Sequence, residues 1–212
     1  MADDDWMFDD EDEEKWLEEW AEVDRQAAVV LRDACSAELE APPPQPDLKA
    51  ATELLRGGVA AGHWPFDYFV AACGWTGPLP EDDVESWVMA TAASISPPND
   101  PGTDLEEQSA VAALQHADWL GMAVGLVRRG TGASFSATTA QRDIDTLPEI
   151  DGASDDPEGD LVVLGTAVEV LTPLWQALGI LDEDRGLTDL GRWGLPHGLL
   201  VTWSEGGEPS AS

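Results

Sequence analysis

The stretch Leu161–Leu178, LVVLGTAVEVLTPLWQAL, decides the fold. Its polar residues Thr166, Glu169, Thr172 and Gln176 stand three, three and four positions apart, on one narrow stripe of a helix. Leu, Val, Ala and Trp cover the rest. A helix that is apolar nearly all round belongs inside a domain, packed by neighbours on most sides. The other segments carry two-sided patterns and read as helices laid against this one.

Upstream, residues 1–14 carry nine acids around Trp6, Met7 and Phe8. Like-charge repulsion predicts a disordered, mobile acidic arm there. From Lys15 the residues Trp16, Trp20, Val23, Ala27, Val30 and Ala34 recur at helical spacing, with Glu18, Glu19, Glu22 and Asp24 off that stripe. An amphipathic helix over 15–41 is expected, ended by a Pro-rich linker at 42–46. The region 47–150 reads as helical. It holds a short helix near Leu48–Leu55 ended by Gly57 and Gly58, and another opened by Asp82 and Asp83 that presents Val84, Trp87, Val88 and Ile95. The spacing of Thr103 and Glu106 suits a capping box for a helix running to Arg129, and Gly130 supplies a stop. The short piece ASFS then precedes a helix through Ile144.

Downstream, 151–205 forms a C-terminal unit: an acidic loop, the central helix, a charged turn and a short final helical piece. A disordered tail is expected over 206–212. A weak internal correspondence at an offset of 52 aligns Leu126, Gly130, Phe135 and Ser136 with Leu178, Asp182, Leu187 and Thr188. Each copy reads as helix, turn, short strand, helix.

The stretch WQALGILDEDRGLTDLGRWG carries Leu178-Gly179, Ile180-Leu181, the turn Asp182 to Gly186, Leu187-Thr188 and Leu190-Gly191-Arg192. It resembles the second half of a winged-helix domain, and the C-terminal half as a whole resembles actinobacterial proteins of no assigned activity. The resemblance implies one or two short winged-helix-like β elements. The expected fold class is therefore mainly α: a multi-helix domain with those β elements and the mobile acidic N-terminal arm. It also implies DNA binding, which makes a winged-helix transcription regulator the alternative function. The residues argue against that role. The helix in the recognition position exposes Thr166, Glu169, Thr172 and Gln176, and the wing turn has three acids and one Arg. Phosphate contacts normally come from Arg, Lys and backbone amides.

Net charge points the same way. The chain of 212 residues carries −33, with 16 acids against three bases in residues 1–46. No region is basic, so nucleic acid and anionic membranes are not expected partners. A hydrophobic content of 43% and ten Trp support a packed core. Cys35 and Cys73 make no disulfide framework, and the N-terminus lacks a signal pattern, so a cytoplasmic location is expected. The run 161–178 contains Glu169 and Pro173 and is not read as membrane-spanning.

No catalytic, cofactor-binding or metal residue is assigned, and no cofactor is expected. His63, His116 and His197 have no partner at ligand spacing, and no phosphate-binding loop or nucleophile motif occurs. The expected function is that of a non-enzymatic, acidic interaction or regulatory protein that contacts a basic protein partner. An enzyme of unrecognised type is the least favoured reading. The partner-binding residues assigned are Trp6, Phe8, Trp16 and Trp20, aromatics set among acids. The plainer alternatives are that the charge serves solubility and that the 15–41 helix docks on its own domain.

Overall fold

The computed structural model describes residues 10–60, 83–95, 110–111, 113–147 and 157–205. The expected mobility of residues 1–9, the Thr103/Glu106 capping box, His63, Cys73 and the 206–212 tail lie outside the described residues. Among those described there are eight helices: α1 (Asp10–Ala34), α2 (Ser36–Glu40), α3 (Leu48–Ala60), α4 (Val84–Ile95), α5 (His116–Arg129), α6 (Ala137–Thr146), α7 (Pro157–Ala177) and α8 (Asp189–Glu205). The protein is mainly helical, as the periodicity predicts. Its β structure among the described residues is confined to two isolated antiparallel bridges, Ser134 with Gly186 and Leu181 with Leu187.

Helix α7 is the apolar helix over 161–178. Leu164, Ala167, Val168, Leu171, Leu174 and Trp175 are buried in the core, and the helix packs against α3, α4 and α6. Thr172 is buried as well, and its hydroxyl donates to the Val168 carbonyl at 2.6 Å. The stripe expected to be polar and exposed is thus interrupted, because a threonine can satisfy its own hydrogen bond within the helix.

Helix α8 departs furthest from expectation. The final helical piece runs 17 residues through Pro196, and it packs against α1, α2, α4 and α5. Three glycines and a proline give it poor intrinsic propensity. Packing compensates. A Cβ at Gly194 would collide with the Trp87 ring, and one at Gly198 would lie 2.8 Å from Thr91 Cγ2. The glycines let α4 come close enough to bury Trp87 completely, with its indole N–H donating to the Leu178 carbonyl at 2.9 Å.

The same device joins α5 to α6. A Cβ at Gly121 would lie 2.8 Å from Ile144 Cα, and one at Gly125 would lie 2.7 Å from Asp143 Oδ2. Asp143 is buried there, and its carboxylate accepts from Arg129 Nε at 2.9 Å and from Arg142 at 3.2 Å.

Several boundaries differ from the expected ones. Helix α1 begins at Asp10, so residues 10–14, read as part of the arm, are helical. Helix α3 continues through Gly57, where nothing among the described residues lies within 4 Å of an added Cβ. Helix α5 starts at His116 after a turn at 113–115, with the Gln115 N–H donating to Asp118 Oδ2 at 2.8 Å. Other local signals hold. Asp83 caps α4 by accepting from the Ser86 N–H at 3.0 Å, and Gly130 ends α5 with φ 84°.

The offset of 52 is visible in the caps. Ser136 Oγ accepts from the Thr139 N–H at the start of α6, and Thr188 Oγ1 accepts from the Gly191 N–H at the start of α8. The preceding residues Phe135 and Leu187 are both buried. They lie side by side: the Leu187 N–H donates to the Ala133 carbonyl and the Phe135 N–H to the Arg185 carbonyl, each at 2.9 Å.

Candidate functional site

The assigned aromatics of the N-terminal region are only partly placed. Trp6 and Phe8 lie outside the described residues, as does the side chain of Trp16, whose backbone is in α1. Trp20 is 43% exposed and meets the His116 ring edge-on at 5.2 Å between centroids. Ahead of Asp24, every described side chain of α1 is exposed or half-buried, Glu18, Glu19 and Glu22 among the exposed. From Asp24 onward α1 docks through Ala27, Ala28 and Leu31.

The docked face is rotated from the expected stripe. Val23 is 42% exposed while Asp24 is 6% exposed. The cause is long-range: His116 Nε2 lies 2.6 Å from Asp24 Oδ1. An acid can enter an interface when a partner hydrogen-bonds it. The Trp203 ring, tilted against His116 at 5.5 Å, completes a small aromatic seat for the helix. No motif spacing within the sequence reveals a pair separated by 92 positions.

A second surface lies on the outer side of α7. Ser136 and Ala137 at the start of α6, Leu161, Val162, Gly165 and Thr166 along α7, and Arg185 line an open groove of about 530 Å³. Leu161 is 39% and Val162 70% exposed. Arg185 stands at φ 63°, in the left-handed region. Its guanidinium grips Glu169 with two bonds, of 2.6 and 2.9 Å. This pair holds the Glu169 carboxyl below its ordinary range and the Arg185 guanidinium above its own, each through hydrogen bonding to the other. Glu169 therefore stays ionised at neutral pH and is unsuited to general-acid work.

Several cations elsewhere are paired as well. Arg25 pairs with Glu22, Arg129 and Arg142 with Asp143, and Arg192 with Glu38. Internal pairing of the scarce bases leaves acids in excess on the surface. Burial pushes the Asp118 carboxyl up, against the lowering effect of the Gln115 N–H, and the nearby Asp160 adds to the rise. Among the described residues no group of three or more His, Cys, Asp or Glu side chains is placed to hold a metal ion. No described helix is long and apolar enough to cross a membrane.

Comparison with protein-family models, with curated proteins and with solved structures returned no match.

Proposed function

We propose that the protein is a non-enzymatic interaction or regulatory protein that contacts a basic protein partner through the N-terminal half of α1. The observation that carries this is the division of α1. Its C-terminal half is docked on the body, while Glu18, Glu19 and Glu22 stand in solvent beside a half-exposed Trp20. Acids around an aromatic anchor suit a basic rim around an apolar pocket, with charge setting the encounter rate and the anchor the affinity. The fixed pair between Asp24 and His116 holds this surface in place against the body.

Capture from cell extract tests it. The full chain is compared with the triple variant Glu18→Gln, Glu19→Gln, Glu22→Gln and with Trp20→Ala, and with the 15–212 truncation that removes Trp6 and Phe8. Basic proteins retained by the full chain and lost from the variants are the expected result. Undiminished capture by the triple variant would remove α1 from the contact.

The order of elements around α7 supports a winged-helix-like reading of the C-terminal unit. Helix α5, the bridge at Ser134, helices α6 and α7, then the bridge of Leu181 with Leu187 follow in the sequence expected of that architecture. The charges disfavour its use on DNA. Glu169, Asp182, Glu183 and Asp184 are exposed on the face that would meet the duplex, and Arg185 is held by Glu169. Mobility-shift assays at physiological ionic strength are expected to show no binding to duplex DNA; binding that weakens steeply with salt would restore the transcription-regulator reading.

A further inference from the structure

We infer that α1 is a latched strap: it lifts from the body as one helix, hinging at Cys35 when Asp24 leaves His116, while the other helices stay packed. The motion gives the proposed α1 contact surface a docked and a lifted state, and it stands whether or not a partner uses that surface.

The two sides of the hinge are held differently. Behind it, α2 and the residue after it are fastened to α8. Arg192 grips Glu38 through Nε and Nη2, at 3.0 and 2.6 Å, and the Trp193 indole N–H donates to the Ala41 carbonyl at 3.1 Å. Ahead of it, the buried side chains of α1 among those described are Asp24, Ala27, Ala28 and Leu31, with Val30 and Ala34 half-buried beside them. Two alanines and one leucine bring little apolar area to that face, and burial stabilises in proportion to area. Helix α7, by contrast, buries Leu164, Val168, Leu171, Leu174 and Trp175. The contact of Asp24 with His116, at 2.6 Å, is therefore a large share of what keeps α1 down.

The joint is built in. Cys35 separates α1 from α2 at φ −123° and ψ 26°, outside helical geometry. Ahead of this break the helix can move without melting. Lys15 pairs with Glu19, Arg25 pairs with Glu22, and the Gln26 amide donates to Glu22, each within one turn. Such pairs support a helix that has lost its packing. Partial openings of a native protein are drawn from the elements with the fewest buried apolar contacts, and α1 is such an element. Lifting uncovers the His116 and Trp203 rings that seat the helix. It also uncovers the Cys35 thiol, which is fully buried in the docked state.

That thiol is the reporter. The full chain is treated with iodoacetamide in rising, sub-denaturing urea, and alkylation of Cys35 is followed by peptide mass spectrometry. Slow labelling with a weak urea dependence is the expected result, because lifting one helix exposes far less surface than global unfolding does. His116→Ala is expected to raise the rate by about a hundredfold or more and to leave the urea dependence weak. Asp24, where His116 touches α1, precedes the thiol by eleven positions, roughly 16 Å of helix. Loss of that contact therefore reaches Cys35 only if α1 moves as a unit. A Cys35 rate that carries the full urea dependence of global unfolding, or one that His116→Ala leaves unchanged, would overturn the proposal. No partner is present in this assay, so failure of the strap and failure of the α1 contact are separate results.

Discussion

Replacing His116 with alanine tests whether α1 is held to the body by the buried contact between Asp24 and His116. The Asp24 side chain is 8% exposed and the His116 ring 14% exposed. Alanine leaves the buried carboxylate without its hydrogen-bond partner, at a cost of about 3 kcal/mol. The ring contacts with Trp20 and Trp203 go as well, worth together about 1 kcal/mol. A total loss of roughly 3–4 kcal/mol is a large part of a typical domain's stability. In urea unfolding this is a midpoint shift of about 1–4 M at an ordinary slope. Asp24→Ala is expected to cost less, since it leaves a ring that carries no obligatory charge. The double variant should show a coupling of about 2 kcal/mol between the two positions. Hydrogen exchange localises the effect: amides of α1 from Asp24 to Ala34 should lose protection before those of α7. A loss below about 0.5 kcal/mol, or strictly additive losses, would refute the pair as the anchor of α1.

The glycine contacts predict opposite outcomes for the same substitution. Gly125→Ala drives a methyl into Asp143 and should cost about 1–3 kcal/mol, whereas Gly57→Ala, in open space on α3, should add about 0.5–1 kcal/mol; thermal melts of both variants decide. Asp118→Asn should stabilise the protein at neutral pH. The native Asp118 pKa is raised by burial, so its favourable contribution is complete below the unfolded value and is lost as pH rises through the folded one. Asn stays neutral and still accepts from the Gln115 N–H, so its advantage should vanish as pH falls through the carboxylate range in a series of urea titrations. Trp87→Phe leaves the Leu178 carbonyl without its indole donor in the core and should cost about 2–3 kcal/mol, measured by urea unfolding. Exchanging Glu169 for Gln, by contrast, should change stability by less than about 0.5 kcal/mol, because the pair with Arg185 is largely solvated and screened.

Residues that act through near neighbours were legible. Gly130 ends α5, Asp83 opens α4, and the periodicity of 161–178 marks a buried helix, since each rests on interactions within about four positions of the chain. The packed core expected from the Trp content includes Trp87, Trp119, Trp175 and Trp193, all buried. Of the candidate site, only Trp20 and the acids around it were legible, and even there the docked face of α1 was read one position away from where it lies. Treating every acid as a solvent residue put Asp24 on the wrong side. Helix α8 was read as too short for a related reason: Gly191, Gly194, Pro196 and Gly198 argue against a helix until Trp87 and Thr91 are set against them.

By itself, the sequence determined the helical class, the cap at Asp83, the stop at Gly130 and the acidity of every region, because composition and local periodicity act without knowledge of the fold. Tertiary structure alone decided which acid is buried, which glycines are contacts, and that Arg185 is held by Glu169. Those outcomes depend on pairs such as Asp24 with His116 and Ala137 with Gly165, brought together only when the helices pack. The energy of a charge or a missing methyl is set by what lies across the contact, and the linear order of residues carries no record of that neighbour.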